Sequence, residues 1–206
     1  MKKLKQHSIT LRSDHVALRP MTEGDWDILL KWNSDPEVLY FSEGDDVTGY
    51  SLEDVQGIYR GVSQSAFCFV IEFDGVPVGE CWLQKMNLER ILAQFPNLDC
   101  RRIDLMIGEK TLWGRGIGTE VIRLLTRFGF EDQGADAIFG CEVADYNPRS
   151  RRAFEKNGYV ASQELPQPEG MKAKVCCDLM LSREAYAAIR SKLEGESGCQ
   201  KSRPGR

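Results

Sequence analysis

Arg102-Ile-Asp-Leu-Met-Ile-Gly108, then Thr111-Leu-Trp-Gly-Arg-Gly-Ile-Gly-Thr119 running into Glu120-Val-Ile-Arg-Leu-Leu-Thr-Arg-Phe128, is the stretch on which the fold turns. It reads as an apolar strand with one acid in it, a glycine loop and an amphipathic helix. That order presents bare backbone N–H groups to phosphate at a helix N-terminus. Glycine serves there twice: it tolerates positive φ, and it lets an anion approach the backbone without meeting a Cβ. The loop is not a Walker A loop, because no Gly-Lys-Ser/Thr follows. Nor is it a Rossmann fingerprint, since Gly114-x-Gly116-x-Gly118 lacks the G-x-G-x-x-G spacing and lies mid-chain.

Downstream, the apolar strand Ala137-Ile-Phe-Gly-Cys-Glu-Val143 leads into Asn147-Pro-Arg-Ser-Arg-Arg-Ala-Phe-Glu-Lys-Asn-Gly-Tyr159, read as a helix over 148–157. Tyr159–Glu164 and Ala173–Leu181 read as two closing strands. A short helix is expected from Arg183 to Leu193, and a frayed polar tail from Glu194 to Arg206. Upstream, Phe67–Phe73 and Val76–Leu83 form a hairpin signalled by Asp74-Gly75. Ser51-Leu-Glu-Asp54 caps a helix to about Val62. Thr22-Glu-Gly-Asp25 caps another, which runs to about Trp32 and is limited by Pro36. The opening segments Ser8–Leu11 and Val16–Arg19 read as strand. The polar loop 41–49 contains the acidic run Glu43-Gly-Asp-Asp46. Strands first, then strand–helix–strand–helix and two closing strands imply one α/β domain over 8–183. Its sheet is mixed and mostly antiparallel, with helices on both faces.

Composition narrows the function. The chain has 206 residues and a net charge of −4, which argues against nucleic acid and leaves acidity for a cationic ligand. No apolar run spans a bilayer, no signal-peptide core is present, and seven cysteines without a C-x-x-C read as reduced cytosolic thiols. A cytoplasmic protein is therefore expected. The two histidines, His7 and His15, lie at the N-terminus, which disfavours a His base, a Ser-His-Asp triad or a His-rich metal site. Acid–base work falls to carboxylates, Tyr, Cys or water. Asp104 interrupts an apolar strand, where aspartate is disfavoured, and so is a candidate site acid; the bland alternative is an ion pair with Arg101 or Arg102.

The glycine loop and the Asn147–Tyr159 segment, in that order and each after a strand, resemble the GCN5-related N-acetyltransferase superfamily. The resemblance implies acetyl-CoA as co-substrate and no metal. It places the pyrophosphate on Arg115, Gly116, Ile117, Gly118 and Thr119. Pantetheine would lie along the strand backbone at Leu105, Met106 and Ile107, flanked by Asn147 and Phe154. The family has its proposed catalytic aspartate at the position of Asp104. Two departures matter. Trp113 stands where superfamily loops usually open with Gln or Arg. Phe154 stands where many members have a Tyr that protonates the departing thiolate.

Four stretches further resemble the aminoglycoside 6′-N-acetyltransferases: Leu30-Lys-Trp-Asn-Ser-Asp-Pro-Glu-Val-Leu39, Val70–Gly79, Ile103–Thr119, and Leu165-Pro with Asp178-Leu-Met. The resemblance covers roughly residues 10–182. It implies acetylation of the 6′-amine of a polycationic antibiotic, and hence resistance. A pocket for such a cation is acidic and partly aromatic, so Trp32, Glu80, Asp99, Glu142 and Asp178 are the candidate walls. The alternatives are acetylation of a polyamine, a siderophore intermediate or a protein N-terminus, or an acyl-CoA-binding sensor without catalysis. Oligomeric state is left open.

Overall fold

The structure is a computed structural model that describes residues 2–43 and 47–200. Residues 44–46 of the acidic loop and 201–206 of the tail lie outside the described residues. An eight-stranded sheet runs in the order β1-β2-β3-β4-β5-β6-β8-β7. Its strands are β1 (Leu11–Arg12), β2 (Val16–Pro20), β3 (Ala66–Phe73), β4 (Val76–Lys85), β5 (Cys100–Ile107), β6 (Ala137–Ala144), β7 (Val160–Pro166) and β8 (Val175–Ser182). All neighbours pair antiparallel except β5 and β6, which are parallel.

Side-chain alternation divides the core into two layers. In β3, Phe69 and Ile71 face one side with Leu83, Ile103, Val121 and Leu125. Cys68 and Val70 face the other, with Leu29, Trp32, Val55, Tyr59 and Met106. Helix α5 (Ile117–Arg127) covers the first face, and α1 (Trp26–Trp32) and α3 (Leu52–Val62) contribute to the second. Each fully buried aliphatic or aromatic side chain contributes about 1.5–3 kcal/mol. The parity has a direct consequence: Arg102, Asp104 and Met106 lie on the α3 side, while Ile103, Leu105 and Ile107 lie on the α5 side.

Local rules account for most boundaries. Thr22 and Asp25 form a capping box, as do Ser51 and Asp54. Asp74 (φ 50°) and Gly75 (φ 80°) make the β3–β4 turn, the left-handed pair that a two-residue hairpin requires. Pro36, expected only to end a helix, opens α2 (Pro36–Ser42). Asp35 accepts the N–H of Glu37 at 2.9 Å, and proline at N1 loses no helical hydrogen bond. The amphipathic helix expected after the glycine loop ends as α at Arg127 and continues as a π turn over Phe128–Asp132. Gly129 lies flush on β6 there, since a Cβ would sit 2.5 Å from the Ile138 side chain.

The segment 87–99 holds α4 (Glu89–Gln94), and α6 spans Pro148–Glu155. The packed body exceeds 8–183. Leu4 is buried, and His7 hydrogen-bonds the Cys68 carbonyl at 2.9 Å. Helix α7 runs from Arg183 to Gln200 rather than ending near Leu193. Tyr186 stacks on Phe130, and Ile189 packs against Gly158. No helix among the described residues is long and apolar enough to cross a membrane.

Candidate active site

Strands β5 and β6 pair only at Cys100↔Ala137, Arg101↔Ile138 and Arg102↔Phe139. Beyond Arg102 they diverge. Parallel pairing lost midway leaves a cleft between the C-terminal ends of the strands, where open sheets place their ligands. A cavity of about 1120 Å³ fills it. Ile103 to Ile107 form one wall, Cys141 to Ala144 another, and the N-terminal turn of α5 closes one side.

The glycine loop is built for anion approach. Gly114 (φ 78°) and Gly116 (φ 85°) are left-handed, and Gly116 is the N-cap of α5 with no side chain to occupy the free N–H groups. A Cβ on either would meet nothing within 4 Å, so open space lies over the amides. The helix dipole adds positive potential at the same point. The residues therefore fit a pyrophosphate-bearing substrate lying along the cleft. Arg115 instead lines an adjoining recess that shares Gly116 and Ile117 with the cavity and also contains Arg12, Arg123 and Arg127.

Of the expected co-substrate residues, Leu105, Met106, Ile107, Gly116, Ile117, Gly118, Thr119, Asn147 and Phe154 all line the cavity. Two of them are already engaged. Asn147 caps α6, accepting the Ser150 N–H and donating to the Phe41 carbonyl at 3.1 Å. The Ile107 carbonyl accepts the Trp113 indole N–H at 2.7 Å. Trp113 thus rebuilds the loop mouth with its ring, against Phe41 and under the Arg149 guanidinium. Phe154 is 2% exposed and packs edge-on to Tyr159. The Tyr159 hydroxyl is buried on Thr126 at 2.8 Å, so it cannot stand in as an acid at the cleft.

Asp104 lines the cavity and is held by Arg102 through both oxygens, at 2.6 and 2.8 Å. Glu80 lies on the same face one strand away, because β4 pairs Glu80 with Met106 and Trp82 with Asp104. It is buried, and its Oε2 has no partner among the described residues. Burial, reinforced by the negative charge of Asp104, pushes the Glu80 carboxyl well above the usual carboxylate range. The Tyr59 hydroxyl, which accepts from Asn33 at 3.0 Å, lies near enough to Glu80 to oppose that rise in part.

Glu142 also lines the cavity. It sits in a bulge where the β6–β8 register shifts, and it carries a φ of 56°, unusual for a residue with a side chain. Three expected wall residues lie elsewhere. Asp99 stands at the paired, closed end of β5, clamped to Arg101 at 2.7 Å, because the cleft opens only at the opposite end of the strand. Trp32 is core: it is 1% exposed, lies against Gly108 and donates its indole N–H to Glu109 at 2.9 Å. Asp178 is neither a wall nor a solvated surface acid. It is buried, bonds Arg90 of α4 at 2.9 and 3.0 Å, and accepts the Glu142 N–H at 2.8 Å. Its place is behind the wall, fixing the bulge that carries Glu142.

Residues that sequence reasoning missed are Tyr59, Trp82 and Arg90, while Arg102 was named only as one of two possible partners of Asp104. Strand parity alone would have chosen Arg102 over Arg101 and found Trp82 as a neighbour of Asp104 on the same face. No local pattern marks Tyr59 or Arg90. Among the described residues, no cluster of three or more His, Cys, Asp or Glu is placed to hold a metal.

The Acetyltransferase (GNAT) domain family matches residues 15–160. The aminoglycoside N(6′)-acetyltransferase type 1 of Klebsiella pneumoniae is 24% identical over 188 residues, covering 89% of this chain and 90% of that protein. A structure of AAC(6′)-Ib with ribostamycin and coenzyme A superimposes with a TM-score of 0.69 at 23% identity, covering 86% of this chain and 98% of that one. The spermidine N-acetyltransferase of Vibrio cholerae, solved with CoA and spermine, superimposes with a TM-score of 0.68 at 16% identity, covering 85% and 99%.

Proposed function

Because this chain belongs to the GNAT acetyltransferase family, with acetyl-CoA as its acyl donor, we propose that it acetylates the 6′-amine of an aminoglycoside antibiotic and so confers resistance. The observation that carries the reading is one cleft in which an unblocked helix N-terminus faces a wall bearing Asp104, Glu80 and Glu142. The first suits an anionic donor, and the second suits a cationic acceptor. The relative named for aminoglycoside acetylation is 24% identical to this chain, against 16% for the spermidine enzyme, which supports that acceptor over a polyamine.

The chemistry follows from the placement. Pyrophosphate rests on the amides of Arg115 to Thr119, and the arginines of the adjoining recess supply positive charge nearby. An ammonium cannot attack a thioester until it loses a proton. Asp104, aligned by Arg102, receives the amine, orients it and draws its proton. The amine lone pair then forms the N–C bond as the C–S bond breaks. Phe154 has no proton to deliver, so the thiolate takes one from the attacking nitrogen or from water. Thiol pKa values near 8.5 make that leaving group tolerable. Acetylation removes a charge from a drug that depends on its charges.

The test is incubation with labelled acetyl-CoA and a panel containing kanamycin, tobramycin and spermidine, with the product mapped by mass spectrometry and NMR. Acetate on the 6′-nitrogen is expected. Preference for spermidine would move the assignment to a polyamine acetyltransferase, and no turnover of any amine would leave an acyl-CoA-binding sensor.

A further inference from the structure

Glu80 presents a problem that the acetyl-transfer scheme does not use. A carboxyl buried on β4 carries one oxygen, Oε2, with no hydrogen-bond partner among the described residues, although it lines the cavity. Leaving such an atom unsatisfied forfeits the hydration it had in the unfolded chain with nothing in return. Beside it, the Trp82 indole N–H is buried and likewise without a partner among the described residues. These groups are arranged rather than loose. Asn33 donates both to the Leu29 carbonyl at 2.8 Å and to the Tyr59 hydroxyl at 3.0 Å, which leaves the Tyr59 proton free for an acceptor on the Glu80 side. Tyr59 and Trp82 pack edge-on at 6.1 Å between ring centres. A carboxyl oxygen and two aromatic rings make a receptor for an organic cation.

The charged and titratable groups around Glu80 come from every neighbouring element. They are Tyr59 from α3, Cys68 from β3, Asp104 and Arg102 from β5, and Glu43 after α2. The sole cation in that set, Arg102, is spent on Asp104, so Glu80 has no counterion among the described residues.

We propose that Glu80, flanked by Tyr59 and Trp82, is a second ammonium receptor in the cleft, uncharged when the site is empty, which surrenders its proton to solvent as a cationic acceptor docks. This rests on reading the cleft as an amine site. The step balances: a neutral carboxyl and an R–NH3+ become a carboxylate–ammonium pair plus one released proton. Burial and the Asp104 charge keep the carboxyl neutral beforehand, and the incoming ammonium supplies the missing counterion. A neutral resting carboxyl spares the empty enzyme an unpaired buried charge, and it selects acceptors bearing a second positive group.

The experiment is calorimetry on the full chain with coenzyme A present, so that binding occurs without turnover. Kanamycin and spermidine are titrated at pH 7 in phosphate and in Tris, whose ionisation enthalpies differ. Wild type is expected to release about one more proton per cation bound than Glu80→Gln, whose amide cannot titrate. Infrared difference spectra of wild type, which need no variant, are expected to lose a protonated-carboxyl band as kanamycin binds. Equal proton release by the two proteins, or no loss of that band, overturns the inference while leaving an acetylating enzyme an acetyltransferase. Failure of wild type to bind or acetylate either amine overturns the amine reading and this inference with it.

Discussion

Arg90 on α4 is the residue whose removal the structure makes most informative. Its guanidinium reaches Asp178 at 2.9 Å and Glu142 at 3.5 Å. The Asp178 side chain is 1% exposed, and its other hydrogen bond is from the Glu142 N–H, which anchors the bulge. Arg90→Met keeps the aliphatic stem and deletes the charge, leaving a buried carboxylate without a counterion. Breaking a buried pair in this way costs about 3–5 kcal/mol. Because the Arg90 side chain keeps 28% exposure, the lower end applies, about 3 kcal/mol. For a chain of this size that lowers Tm by roughly 6–12 °C, at about 2–4 °C per kcal/mol. Adding Asp178→Asn is expected to recover most of the loss, since a neutral amide needs no counterion. The assay is urea unfolding of the two single variants and the double. Acetylation kinetics accompany it, in which KM for kanamycin rises while KM for acetyl-CoA stays near its original value. A loss below about 1 kcal/mol with unchanged kanamycin KM refutes the reasoning, and so does a double variant no more stable than Arg90→Met.

Asp104→Asn is expected to lower kcat/KM for aminoglycosides at least about a hundredfold with little change in acetyl-CoA affinity; near-wild-type rates across pH would hand its role to water or another acid. Gly116→Val forces a branched residue to φ 85° and puts a side chain over the amides, so calorimetry should show acetyl-CoA binding lost in a protein that circular dichroism shows folded. Glu80→Gln reports on pH: above about 4.3 an unfolded Glu ionises while the buried one holds its proton. Wild type therefore loses about 1.4 kcal/mol of stability per pH unit until Glu80 ionises in the fold. The variant's advantage in urea unfolding should grow from pH 5 to 7, and a constant difference would contradict the burial argument. Phe154→Ala should cost about 3–5 kcal/mol for its buried ring, whereas Phe154→Tyr should leave the rate nearly unchanged; a tenfold gain would show that thiolate protonation limits turnover.

The elements and their order were legible because short-range rules decide them. Ser51 with Asp54, Thr22 with Asp25, Asp74-Gly75 and the run Gly114-x-Gly116-x-Gly118 each act within a few residues, and each appears where the chain predicts it. Asp35-Pro36 carries the same kind of signal, an N-cap before a proline at N1, and the structure starts α2 there rather than only ending α1. The docking of α7 was not legible, since the partners of its Tyr186 and Ile189, Phe130 and Gly158, lie far upstream.

Within the candidate site, the division follows the range of the interaction. Sequence by itself determined that an acid would interrupt β5 ahead of a glycine-capped helix, and hence the two halves of the cleft. It left Arg101 and Arg102 equal as partners for Asp104; the structure gives Arg102 to Asp104 and Arg101 to Asp99. Only the tertiary structure separated the five candidate wall residues. Asp99 lies at the closed end of β5, Trp32 in the core, and Asp178 behind the bulge on an arginine 88 positions away in the chain. Backbone conformation is chosen by near neighbours, so it is written locally. Whether a carboxyl is exposed, paired or buried without a counterion depends on desolvation by elements distant in the chain, and for Glu80, Glu142 and Asp178 that is settled only when β4, β6 and β8 come together with α3 and α4.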